Sequence, residues 1–234
     1  MILSLNRRDA VRLFGHPKFI DNHFNYDKYW LSKKSNNMGI PNLWQKERAD
    51  WIAKKIKEDS SVLDLGCGDG SVLLHMKSLV KFKPLGADIS DSCIQFLKSK
   101  KIKSFKLEIN DLNKINAISR CDYILMLEIL EHIQYPEDLL KLTYKNCKKG
   151  IFFSIPNTGY VAYRLRLLFG RFPVQWRIHP GEHVRFWTLK DLKWWLGELN
   201  LLHKSTIHLY QGIPYLNKIF PGIFGAGIIV EIKK

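Results

Sequence analysis

Glu128, Glu131 and His132 close an apolar run, Asp122 to Ile133. If the chain turns helical there, their i, i+3, i+4 spacing puts all three on one face. A further histidine, His183, lies in the stretch Pro180-Gly181-Glu182-His183-Val184-Arg185-Phe186-Trp187-Thr188. Imidazole takes up a proton near neutral pH, so His132 and His183 are candidate general bases, with orienting hydrogen bonds as the plainer alternative. Two glutamates and two histidines are also a set that can ligate a divalent cation. Glu128, Glu131, His132 and His183 are therefore an alternative metal set, while no metal is the first expectation.

These residues must be positioned by a scaffold, and the sequence outlines one. Ser61-Val62-Leu63-Asp64-Leu65-Gly66-Cys67-Gly68-Asp69-Gly70 reads as a strand running into a tight glycine turn, and Ser71-Val72-Leu73-Leu74 then opens a helix. Glycine admits positive φ and lets a ligand come close to the backbone. Asp88, at the end of Pro84-Leu85-Gly86-Ala87-Asp88-Ile89, follows about 20 positions on, the spacing of a nucleotide-type cofactor site. Strand and helix then alternate. Strands are expected over 62–65, 83–88, 104–109, 123–127, 151–155, 202–210 and 227–232. Helices are expected over 43–56, 70–79, 92–100 with Asp91 as its cap, 136–145, 160–169 and 188–198. That alternation specifies an α/β fold, a mostly parallel sheet with helices on both faces. The last two strands follow the last helix and should pair as a hairpin-like edge, and the apolar linker 212–225 is long enough to pack over a site.

Domain organisation follows: an aromatic N-terminal segment, 1–42, as a lid over the site or a cover for the sheet's flank; a cofactor domain, 43–234; and a substrate-side insertion, 157–187. The net charge is +15, and residues 160–234 carry 11 basic against 4 acidic side chains. Five of the ten arginines, Arg164, Arg166, Arg171, Arg177 and Arg185, fall in one short stretch. Arginine binds carboxylate and phosphate in a two-pronged geometry that lysine cannot reproduce. Cys67, Cys93, Cys121 and Cys147 are widely spaced in apolar or glycine-rich settings. They read as reduced structural thiols in a cytoplasmic protein. No apolar run reaches the roughly 18 residues of a membrane span, and the N-terminus lacks the order of a signal peptide.

Four stretches together carry a resemblance: Val62 to Gly70, Gly86-Ala87-Asp88-Ile89, Glu108-Ile109-Asn110-Asp111-Leu112, and Asp122 to Ile133. From about Trp44 onward the chain resembles class I S-adenosylmethionine (SAM) dependent methyltransferases. Within them it is similar to the MetW-like and ubiquinone-biosynthesis type that act on small molecules. The resemblance implies a Rossmann-like fold with a seven-stranded sheet and an antiparallel last strand. It implies that Gly66, Cys67, Gly68 and Gly70 line the amino-acid end and sugar of SAM. Asp64 would orient the loop or the SAM ammonium, and Asp88 with Ile89 would hold the ribose. Asp111 and Leu112 would meet the adenine, and Glu128 the methionine part. For Asp111 a plain capping role stays open. The Glu-x-x-Glu-His run resembles both the metal site of small-RNA 2′-O-methyltransferases and the floor of metal-free small-molecule enzymes, where Glu131 and His132 shape the site.

The leading expectation is methyl transfer to an oxygen, or less readily a nitrogen, of a small anionic metabolite. Arg164, Arg166, Arg171 and Tyr160 would stand on the substrate side, at the carboxyl ends of the strands. RNA ribose methylation is a second reading. Against it, no RNA-binding module is visible, and basic and aromatic residues do not share a stripe. A non-catalytic SAM-binding partner is a third.

Overall fold

The computed structural model describes residues 13–16, 26–28, 30, 37–173, 175 and 183–234. Seven strands form one sheet in the order β3-β2-β1-β4-β5-β7-β6. They are β1 (Ser61–Leu65), β2 (Lys83–Asp88), β3 (Lys103–Lys106), β4 (Cys121–Leu127), β5 (Cys147–Pro156), β6 (Ser205–Tyr210) and β7 (Gly227–Lys233). Strands β1 to β5 pair in parallel, and β7 runs antiparallel to both β5 and β6. The expected hairpin edge is thus present, with its last strand inserted between β5 and β6.

Alternating side chains build a core on each face of the sheet. Leu63, Leu65, Ile124, Met126, Ile151, Phe153, Ile228 and Val230 face one side. There they meet α4 (Leu112–Asn116), α5 (Pro136–Asn146) and α7 (Leu189–Glu198). Val62, Tyr123, Leu125, Phe152 and Ile229 face the other. On that side lie α1 (Leu43–Ala53), α2 (Ser71–Lys77) and α3 (Asp91–Ser99). A period of two with both faces covered is what a buried sheet requires. Asp64 shares its face with Val62, so the strand's alternation carries a carboxylate into the interior.

The helix starts have local causes. Asn42 and Gln45 form a capping box on α1, and Thr188 and Asp191 another on α7. The cap of α3 is Ser90, whose hydroxyl accepts the Cys93 amide, and the expected cap Asp91 is the first helical residue. The helix after β5, α6, spans Val161–Leu168. The linker 212–225 folds into two short helices, α8 (Leu216–Ile219) and α9 (Pro221–Phe224). The strand expected from Leu202 begins at Ser205, after a 3₁₀ turn at Leu202–Lys204. Residues 26–28 and 30, in the aromatic N-terminal segment, are helical. Residues 174 and 176–182 of the insertion, Arg177 among them, lie outside the described residues. The four cysteines are free and buried. Among the described residues no helix is long and apolar enough to cross a membrane.

Candidate functional site

The turn after β1 is left-handed at each of its three glycines, with φ of 72° at Gly66, 52° at Gly68 and 67° at Gly70. L side chains resist that conformation, which explains the residue type at each position. The amides of Gly66 and Cys67 donate to the Ala87 carbonyl at 2.8 and 3.1 Å, locking the turn to β2. Asp88, at the end of β2, accepts the Gly68 amide at 2.7 Å and the Ser90 amide at 2.9 Å. Burial raises its pKa, and these donors oppose the rise. Asp69 is fully buried; it accepts the Ser71 hydroxyl at 2.6 Å and the Gly39 amide at 3.0 Å. Asp64 is buried, and its Oδ1 finds no partner among the described residues. Burial, then the nearby Asp88, push its pKa up to about 8, with Arg48 opposing. Cys67 is buried against the turn, and burial pushes its thiol well up. Ile89 is exposed beyond β2.

Asp111 makes the helix cap that the sequence held open beside adenine contact. It caps α4, accepting the Lys114 amide at 3.0 Å, and this bond holds its carboxyl below the usual range. Its neighbour Leu112 packs on the core.

The end of β4 departs from expectation. No α-helix follows it: Glu128 takes a left-handed φ of 59°, and a single 3₁₀ turn, Leu130–His132, comes next. The backbone extends the β5 pairing by one bond, the Glu128 amide to the Ser154 carbonyl at 3.0 Å, and then turns. Glu128 is thereby separated from Glu131 and His132 and does not join them on a helix face. Its Oε1 accepts the Ser154 hydroxyl at 2.8 Å and pairs with Arg48 Nη1 at 3.0 Å. Arg48 also donates to the Tyr210 hydroxyl at 2.9 Å. Burial disfavours the Arg48 charge, and Tyr210 and Glu128 more than offset it. Arg48 is a buried charge beside the end of β4 that sequence reasoning did not single out. Its one visible signal was an arginine inside the apolar helix pattern of 43–56, since a charge is almost never fully buried without a partner.

Glu131, His132 and His183 do come together, each offering one ligand atom within 4.8 Å of the others. The two imidazoles meet edge to face, with ring centres 4.7 Å apart. His183 is brought there by its own loop: the Val184 and Arg185 amides both donate to the Glu131 carbonyl, at 2.9 and 3.1 Å. Arg185 in turn grips Glu137 with both carboxylate oxygens in reach, at 2.8 and 3.0 Å, and Trp195 Nε1 donates to the same group at 2.7 Å. Burial, then His132, push the His183 pKa down to about 3, so its ring is neutral at physiological pH. Its Nδ1 is buried without a partner among the described residues. His132 is more open, with 27% of its side chain exposed.

The arginines expected to face an acceptor hold backbone instead. Arg164 Nε donates to the Gly159 carbonyl at 2.6 Å. Arg166 is buried and donates to Phe172, Leu13 and Gly15 carbonyls at 2.9 to 3.0 Å. Arg171 reaches His16 at 2.9 Å. Arg166 and Arg171 thus fasten residues 13–16 to α6. Tyr160 is buried and stands edge-on to Tyr163. The buried Asn157 ties the 212–225 linker to the end of β5, donating to the Gly222 and Gly225 carbonyls at 3.1 and 2.7 Å.

Comparison with known proteins bears on family and fold. A family profile described as a methyltransferase domain matches residues 40–202. The ubiquinone biosynthesis O-methyltransferase of Coxiella burnetii (strain RSA 331) is 32% identical over 177 residues, 70% of this chain and 74% of the relative. The mitochondrial enzyme of the same name from Candida albicans is 30% identical over 158 residues; that match takes in 62% of this chain and only 48% of the relative's length. Among solved structures, a SAM-dependent methyltransferase from Archaeoglobus fulgidus superposes with a TM-score of 0.59. It covers 90% of this chain and all of that one at 20% identity, a likeness of fold.

Proposed function

Because the chain belongs to the class I SAM-dependent methyltransferases, we propose that it transfers the methyl group of SAM to a hydroxyl oxygen of a small molecule. SAM supplies an electrophilic methyl on a sulfonium, so the protein's work is to bind, align and deprotonate. The described residues fit that cofactor. Asp64 Oδ1 and Arg48 Nε are buried polar atoms that no described residue satisfies, and an ammonium and a carboxylate are their complements. Asp88, its two oxygens held by backbone amides, keeps lone pairs for ribose hydroxyls.

The observation that carries the acceptor reading is the Glu131–His132–His183 cluster at the carboxyl end of β4. Methylating an oxygen requires removal of its proton. His132 is the open member and takes that role, with the neutral His183 packed against it to hold its ring. The names of the relatives, O-methyltransferases of ubiquinone biosynthesis, support an oxygen acceptor. For an anionic acceptor the support is the basic excess of residues 160–234, since Arg164, Arg166 and Arg171 hold carbonyls; an acceptor KM that rises with salt would bear it out. A second reading keeps the same reaction and has the cluster hold a divalent cation that binds the acceptor oxygen, because one carboxylate and two imidazoles converge there.

The test is transfer of an isotopically labelled methyl group from SAM to a panel of small hydroxylated aromatics, amines and short RNAs, with and without a chelator. Label recovered as a methyl ether supports the reading, and loss under chelator moves the cluster's role to the metal. Label recovered only on nitrogen or on RNA would contradict it.

A further inference from the structure

Among the described residues, Asp27 and Trp30 of the aromatic N-terminal segment each touch the cofactor side of the sheet. A Cβ on Gly68 would collide with the Trp30 ring, 2.6 Å from Cη2, so the indole lies directly on the middle glycine of the turn. Three residues earlier, Asp27 accepts the Ser90 hydroxyl at 2.6 Å and the Ser92 amide at 3.0 Å. Residues 27 and 30 are one helical turn apart and so project from one face. Between their two contacts lies Asp88, which accepts the Gly68 amide on one side and the Ser90 amide on the other. The turn therefore bridges the whole unit Gly68–Asp88–Ser90.

We propose that Asp27 and Trp30 form a clasp over bound SAM, with Asp27 as latch and Trp30 as cover, and that SAM leaves only when the latch opens. This rests on the SAM-binding role of the glycine turn and not on the identity of the acceptor. A plug that excludes the cofactor would be the opposite device, and the atoms used argue against it. The latch takes Ser90 Oγ and Ser92 N, and leaves the Asp88 oxygens to their two amides. Latch and ribose acceptor are separate atoms, so both can be engaged together. Trp30 exchanges its contact with Gly68 for contact with the ligand, and an indole has apolar surface to cover in either state. Further out on either side, Gly39 bonds Asp69, and Arg166 bonds the Leu13 and Gly15 carbonyls.

The experiment measures SAM binding and release directly, by calorimetry and stopped-flow, on the full chain. Asp27→Ala removes two hydrogen bonds to a charged group and should raise the SAM off-rate about tenfold; because the latch is also closed in the free protein, the on-rate should rise too, by less than the off-rate. Trp30→Ala should do the same and Trp30→Phe should restore most of the affinity. Asp27→Asn, which keeps the side chain's size, guards against a folding defect, and thermal midpoints without SAM are compared in parallel. Off-rates unchanged in both alanine variants would overturn the clasp. Tighter SAM binding in either would overturn it too, in favour of a plug. Wild-type protein that bound no SAM would overturn the cofactor reading on which the clasp stands, a distinct result.

Discussion

The glycine-turn half of the site and the histidine half are assembled in different ways. Around Gly66–Gly70, the ends of β1 and β2 are held together by backbone amides: Gly68 and Ser90 on Asp88, and Gly66 and Cys67 on Ala87. Around His132, the partners come from places 50 residues apart in sequence, and side chains do the holding, as when Arg185 and Trp195 converge on Glu137. A site held by backbone depends on the fold alone. A site held by side chains can be retuned one residue at a time. On the proposed function, the difference assigns the cofactor to the scaffold and the acceptor to its attachments.

Four substitutions or titrations can break or sharpen that division. The largest effect is expected at His132. His132→Ala should lower kcat about a hundredfold or more, the range of a lost general base, while SAM affinity stays put. A parallel loss of SAM affinity would merge the two halves. Next is acid. His183 has a folded pKa of about 3 against an ordinary 6.5. The unfolded chain therefore binds more protons between those values, and stability falls as pH falls. Between about pH 7 and pH 5 the loss should be about 2 kcal/mol by denaturant titration, and His183→Gln should flatten that slope.

In the cofactor half, Asp88→Ala should weaken SAM about tenfold while leaving kcat at saturating SAM nearly intact. A kcat collapse at saturation would show that the acceptor half leans on the same carboxylate. The smallest effect concerns Asp64. With its pKa pushed up to about 8, it is largely protonated at neutral pH, and an ammonium beside it favours the ionised form. Binding of SAM should then release up to about one proton, read as a dependence of the calorimetric enthalpy on buffer ionisation. Asp64→Asn should abolish that dependence.

The same division decides what the sequence discloses. Short-range features were legible: the glycine turn, Asp88, the alternation of strands and helices, and the late antiparallel pair all come from local period and spacing. The Thr188 cap was legible for the same reason. At Glu128 the local pattern pointed the wrong way. The i, i+3, i+4 spacing suggests one helix face, but a left-handed residue at the end of β4 turns the chain first, and only Glu131 and His132 reach His183. Arg48 showed only as an arginine inside an apolar helix pattern; its partners, Glu128 and Tyr210, lie 80 and 162 positions away, and no spacing rule reaches that far. The arginine cluster stood out in composition, but composition does not distinguish a guanidinium aimed at a ligand from one that holds Leu13 and Gly15 carbonyls.

The most direct measurement is a crystal structure with S-adenosylhomocysteine bound. The account predicts the ribose on Asp88, the amino-acid end between Asp64 and Arg48, and the sulfur directed toward His132, with room between them for one hydroxyl oxygen within about 3 Å of the imidazole. A sulfur turned away from the Glu131–His132–His183 cluster, so that no oxygen could reach both it and His132, would contradict it.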